Sequence, residues 1–267
     1  MTHATTAQPY LTSVSRHGDG KKFEFRREQL EQRRFEIYAA IDALKKLSVD
    51  GDPGNLSTID DSDLDWSGFR GKIGFNTLQL TGHSFGATTL FSLLSHEPSE
   101  GFEPFPVTHA LFLDPWLEPF EEPSPIQANA NAQVKKAILH SEGFTLWRNH
   151  MAQVIEVAKA WGNVPIYTVG TIESLHRKSI FSPLIGLART THQSFSDYKV
   201  LLPRFFIGKD VELLRKISEL SVAFLNDYME DALAGSTTRD MEVETVEDGR
   251  GKKKRQLVAN AGDVIVH

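Results

Sequence analysis

The chain has 267 residues, 40 % of them hydrophobic and 24 % charged, with a formal net charge of −6 and no cysteine. Such a composition suits one folded domain with a sizeable core and a short tail. The acidic balance argues against nucleic acid as a partner, and the missing thiols exclude disulfides and thiolate metal sites.

Residues 1–24 are polar, with Tyr10, Leu11 and Val14 marking the end of a strand and a loop. They lack a basic stretch followed by an apolar one, and no apolar run in the chain approaches the roughly 18 residues of a membrane span. The expectation is a soluble, cytoplasmic protein. From Arg26 to Lys46, Leu30, Ile37, Ile41 and Leu44 recur at helical spacing, which predicts an amphipathic helix whose charged face is solvated. The acidic loop that follows, residues 48–72, lacks the ligand order of a calcium loop and reads as a connector. Thereafter short apolar runs alternate with helical patterns. Strands are predicted at Leu78–Thr81, Ala110–Leu113, Ala137–His140 and Pro165–Val169, with helices at Ala87–Ser95, Leu146–Trp161 and Val211–Leu233. That rhythm predicts an α/β fold with a mostly parallel sheet. The stripe Trp147, Met151, Val154, Ile155 and Ala158 reads as core. Residues 234–267 carry mixed charge with little periodicity and are expected to be a disordered tail, its "KKKR" solvated. A catalytic domain is accordingly placed at 25–233.

The chemistry centres on "LQLTGHSFGATTLFSLL", residues 78–94. An apolar run enters Gly82-His83-Ser84-Phe85-Gly86 and another leaves it, the strand-turn-helix context of a nucleophile elbow. The two glycines permit close approach of strand and helix, and the backbone N–H of Phe85 is placed to donate to an oxyanion. A serine hydroxyl needs a base, and the base needs an acid to orient it. Asp114 ends a buried apolar strand, where an unpaired carboxylate is costly, and is the candidate acid. Asp197 is the second choice. His192 lies in a loop downstream of the last predicted strand, where the chain order Ser, acid, His puts the base. His83 reads as structural packing, and His109, His140, His150 and His176 as ordinary residues in or against predicted elements.

These segments carry a resemblance. "GHSFGATT", "LFLDPWLEPF", "HSEGF", "THQSFSDY" and "SELSVAFLNDY" resemble, in order and spacing, the plasma-type and intracellular type II platelet-activating-factor acetylhydrolases, or group VII phospholipases A2. The charged helix "RREQLEQRRFEIYAAIDAL" is similar to the one preceding the elbow in that family. The resemblance spans about residues 11–230. It implies an α/β-hydrolase fold with Ser84 as nucleophile, Asp114 as acid and His192 as base. It also implies calcium-independent hydrolysis of short or oxidised acyl groups at the sn-2 position of phospholipids, with no cofactor or metal. "PSPIQANANAQVKKAILH" and "TIESLHRKSIFSPLIGLART" are local variations on the family's loops. "RHGDG" at Arg16–Gly20 resembles the end of the family's fourth strand, so the first strands are expected to be lacking and Phe85 to have lost its partner donor, since removing one such donor costs on the order of 10²–10³ in rate. A non-catalytic truncated relative, a cutinase-like esterase and a thioesterase are the alternatives. Contact with a membrane surface through Trp147, Met151 and Trp161, or Ile180, Phe181, Leu184 and Ile185, is set against burial of both groups.

Overall fold

The computed structural model describes residues 23–52, 65–120, 133–162, 164–169, 191–196, 208–247, 251–260 and 263–267. The expected strand end within 1–24, most of the acidic loop, His176, Asp197 and the Ile180–Ile185 group lie outside the described residues. Helix α1, Glu24–Asp50, fills the predicted amphipathic segment. It ends where Gly51, at φ 69°, turns left-handed and returns its N–H to the Leu47 carbonyl. The buried side chains are Leu30, Tyr38, Leu47 and Ser48, whereas Leu44 is 42 % exposed. The helix seats through Tyr38 on Phe102 and Phe105, with ring centroids 5.8 and 4.9 Å away, and not through one aliphatic stripe.

Strands β1 (Leu78–His83), β2 (Val107–Leu113), β3 (Lys135–Ser141) and β4 (Ile166–Val169) fall where the sequence predicts them and pair in parallel in that order. Helix α2 (Phe85–Leu94) follows β1 directly. The predicted Leu146–Trp161 helix is α4 (Arg148–Ala160), preceded by a one-turn helix α3 (Glu142–Thr145). The predicted Val211–Leu233 helix is broken into α5 (Gly208–Leu225) and α6 (Met229–Ala234). Asp227 makes the break, at φ 64°, with its carboxylate held by His109 Nε2 and Lys135 Nζ across the sheet.

The pleat of β2 sorts the core. Ala110 and Phe112 join Phe91, Met151, Val154 and Trp161 on one side, and Leu111 joins Leu139, Val169, Leu213, Ile217 and Leu220 on the other. Both faces are thereby covered, as a parallel sheet requires. The ring of Phe91 stacks on Phe112 with centroids 3.8 Å apart. Met151, Val154 and Ala158 of the predicted stripe are buried, and so is Trp161, but Trp147 is 39 % exposed and lies on the His150 ring instead.

The expectation of a disordered tail is overturned. Residues beyond α6 carry β5 (Thr238–Arg239), β6 (Val243–Glu247), β7 (Lys253–Leu257) and β8 (Val264–Val266). Strand β8 pairs antiparallel with β4 and parallel with β5, extending the sheet to the order β1-β2-β3-β4-β8-β5. Val264 and Ile265 have no solvent exposure. The charged residues that suggested disorder lie on the β6–β7 hairpin, where Lys253 and Lys254 face solvent, and the apolar triplet of β8, buried at Val264 and Ile265 only, is too short to show a period. Among the described residues no helix is long and apolar enough to cross a membrane.

Candidate active site

The parallel sheet sets the site at the carboxyl ends of β1 and β2. Its hydrogen-bond ladder continues one residue past each strand: Ser84 N–H donates to the Leu113 carbonyl at 2.9 Å, and Asp114 N–H to Leu139 at 2.8 Å. Both residues then leave the strand direction sharply. Ser84 sits at φ 59°, ψ −123°, and Asp114 at φ 43°. A positive φ is uncommon for non-glycine residues and persists only where surrounding structure enforces it. Here the Ser84 carbonyl accepts from Trp116 N–H at 3.3 Å and Thr88 N–H at 3.2 Å. The Thr88 hydroxyl in turn donates to the Trp116 carbonyl at 2.6 Å.

The strand-to-helix turn needs a bare backbone at one glycine. A Cβ on Gly82 would stand 2.6 Å from the Gly86 carbonyl carbon and oxygen, whereas one on Gly86 would meet nothing within 4 Å. The close approach therefore depends on Gly82, with Gly86 contributing only backbone. Phe85 opens α2, so its N–H belongs to the first turn, whose donors have no intrahelical acceptor.

His192 begins a short 3-10 turn, His192–Phe195, whose preceding residue Thr191 donates its N–H to Ser194 Oγ at 3.0 Å and accepts the Ser194 N–H at its carbonyl at 2.8 Å. From there its Nε2 lies 2.6 Å from Ser84 Oγ and its Nδ1 3.2 Å from Asp114 Oδ2. The other Asp114 oxygen accepts the Ser141 N–H at 2.6 Å, and the carboxylate side chain has no exposure. With an acceptor-only carboxylate at Nδ1, the ring carries its proton there and presents Nε2 as the acceptor for the serine hydroxyl. The structure thus brings Ser84, His192 and Asp114, the three residues singled out in the sequence, into one hydrogen-bonded chain. Asp197 lies outside the described residues.

Two side chains enclosing the His192 ring were not visible as site residues. Phe144, from "HSEGF", lies flat on one face, 4.5 Å between centroids and 9° between planes. His83, read as packing, does pack, but against His192 itself at 4.5 Å, with Phe195 on its far side at 5.7 Å. Burial, followed by the adjacent His192 imidazole, pushes the His83 pKa down, with Asp114 opposing. Only adjacency to Ser84 could have flagged His83. For Phe144 the signal was its place in "HSEGF", which marks a segment but not the stacking, because the contact depends on where α3 lies after β3.

Among the described residues, His109, His140 and His150 play structural parts. His150 Nε2 accepts the Leu117 N–H at 3.1 Å, and His109 Nε2 meets Asp227 at 3.0 Å. His140 is fully buried, neither ring nitrogen has a hydrogen-bond partner, and burial lowers its pKa to about 4. Among the described residues, the grouping of histidine and acid side chains close enough to hold a metal ion is His83, Asp114 and His192, with ligand atoms within 4.8 Å of one another. Two of its members are already committed to the hydrogen-bonded chain that ends at Ser84.

A mostly parallel sheet between helices, with a serine on a left-handed strand-to-helix turn, defines an α/β hydrolase. The chain belongs to the platelet-activating factor acetylhydrolase, isoform II, family, whose model matches residues 2–233. No curated relative matches it. Membership makes it, in general terms, a hydrolase of phospholipid esters.

Proposed function

We propose that the chain is a serine esterase that removes the acetyl, or a short or oxidised acyl group, from the sn-2 position of phospholipids without calcium. Ser84 is the nucleophile, His192 the base and Asp114 the residue that orients it. The observation that carries this reading is the unbroken hydrogen-bonded sequence Asp114–His192–Ser84, with separations of 3.2 and 2.6 Å.

As Ser84 Oγ bonds to the ester carbonyl carbon, His192 Nε2 takes the hydroxyl proton and the carbonyl π pair moves onto oxygen. The Phe85 N–H faces that developing charge. Collapse of the intermediate breaks the bond to the lipid's sn-2 oxygen, which receives the proton from His192, leaving the acyl group on Ser84. Water then repeats the sequence, releasing the carboxylic acid and restoring the serine. Asp114, wholly buried and anchored by Ser141, stabilises the imidazolium formed in each half.

The test is labelling of the folded chain with a fluorophosphonate probe, alongside release of acetate from a 1-alkyl-2-acetyl glycerophosphocholine in the presence of EDTA. Both signals are expected in the native chain, and Ser84→Ala should abolish labelling and lower kcat by roughly 10⁶-fold. Labelling that survives the substitution, or a folded native chain that is not labelled, overturns the assignment.

A further inference from the structure

The charged face of α1 is not simply solvated. Arg34 is tied to Ser92 Oγ at 2.6 Å, but Arg33 and Arg26, two turns apart and both half-buried, turn elsewhere. The Arg33 guanidinium carbon lies 4.8 Å from the centre of the Phe85 ring, and that of Arg26 lies 5.5 Å from the same ring and 5.9 Å from Trp116. Phe85 is the residue after Ser84, and Trp116 donates its N–H to the Ser84 carbonyl. Two cations therefore gather on the aromatic pair that flanks the nucleophile.

Among the described residues neither arginine makes an ion pair, and Arg26 spends a donor on Gln29 Oε1 at 2.7 Å. The nearby carboxylate of Glu118 is engaged by the Trp116 indole N–H at 2.9 Å. Like charges brought to one ring repel each other, and the attraction to ring faces offsets only part of that. Ring faces also hold a cation without consuming its N–H donors, leaving the guanidinium forks available to paired oxygens. An anion between them would complete the arrangement.

We propose that Arg26 and Arg33 form the subsite for the phosphodiester of the substrate lipid, an assignment that rests on the esterase function above. In a glycerophospholipid the phosphorus stands a few bonds from the sn-2 carbonyl, so its site has to adjoin the nucleophile, as these two arginines do. Planar forks suit phosphate oxygens better than an ammonium would. Anchoring the headgroup there directs the sn-2 ester to Ser84 and gives phospholipids an advantage over neutral esters.

The experiment compares Arg26→Gln, Arg33→Gln and the double variant with the native chain. It measures kcat/KM on 1-alkyl-2-acetyl glycerophosphocholine and on 4-nitrophenyl acetate, which has no phosphate. It also measures binding of glycerophosphocholine to the same variants carrying Ser84→Ala. The ratio of the two kcat/KM values is expected to fall about 10- to 100-fold for each arginine, mostly through KM on the lipid, since a charge-assisted hydrogen bond is lost. Glycerophosphocholine binding should weaken in parallel. An unchanged ratio with unchanged binding overturns the proposal, whether the two activities stay level or fall together. If the native chain cleaves nitrophenyl acetate through Ser84 but not the phospholipid, the substrate assignment fails. The arginine subsite then stands or falls on glycerophosphocholine binding alone.

Discussion

His140 lies under the site at the end of β3, inside the sheet, with no hydrogen bond to either nitrogen. Its pKa of about 4 in the folded chain compares with an ordinary 6.5, so the unfolded chain binds the extra proton between those values. The stability it permits is therefore complete above pH 6.5 and is lost as pH falls towards 4, by on the order of 3 kcal/mol in all. His140→Leu should remove that share of the pH dependence in urea unfolding measured at pH 7.5 and 5. At pH 7.5 it should leave stability nearly unchanged, because no hydrogen bond is surrendered. An identical loss between the two pH values in the variant would show that His140 is not the group responsible. At this scale the sequence was most legible where chemistry marks the residue. Ser84 has its flanking glycines, Asp114 its apolar strand and His192 its place in the chain order. Phe144 and His83 carry no such mark, since a ring that stacks on His192 is indistinguishable in sequence from a ring in the core.

The β1–α2 elbow is the element on which the site depends, and its two glycines are not equivalent. Gly82→Ala forces a methyl into the Gly86 carbonyl, so overpacking should cost about 1–3 kcal/mol. Any shift of Ser84 that relieves the clash should cost activity on the order of 10²-fold. Gly86→Ala meets open space within the first turn of a helix and should hold or raise the melting temperature, alanine being favoured over glycine by about 1 kcal/mol in a helix. Thermal unfolding of the two variants separates them, and equal losses would refute the distinction. Among the elements, the four parallel strands and three of the helices were readable from apolar rhythm. The break between α5 and α6 was not, because Leu214, Ile217, Ser221, Phe224, Leu225 and Tyr228 keep helical spacing up to and past Asp227. At the break Asp227 takes a positive φ, the Tyr228 N–H closes on the Ala223 carbonyl at 3.0 Å, and the Asp227 carboxylate meets His109 of β2 and Lys135 of β3, contacts that residue spacing does not show.

For the whole molecule, the alternation of strands and helices was enough to predict the layered α/β architecture, but not where the sheet ends. Charge concealed the last part: β8 is a three-residue strand with two buried residues, preceded by a basic hairpin, and it lies beyond the 2–233 span of the family match. It is also joined to the site's framework. Glu142 of α3 accepts the Leu257 N–H at 3.1 Å, and the Thr168 hydroxyl bonds both Thr145 at 2.7 Å and His267 Nε2 at 2.8 Å. If β8 belongs to the cooperative unit, Ile265→Ala should cost about 2–5 kcal/mol, as it does for fully buried aliphatic side chains. A denaturation midpoint unaffected by the substitution would mean that the segment folds independently of the sheet.

The left-handed backbone at Ser84 and Asp114 has a thermodynamic consequence. Residues held in such regions raise the energy of the native state by on the order of 1–3 kcal/mol each, and glycine would relieve most of it at either position. The total is a sizeable share of the 5–15 kcal/mol, roughly, by which domains of this kind exceed their unfolded chains. Variants chosen for thermal endurance alone would thus tend to lose the Ser84 hydroxyl to glycine, whereas Asp114 is held by its buried hydrogen bonds, so any stabilisation of this hydrolase has to be selected with turnover as a second criterion.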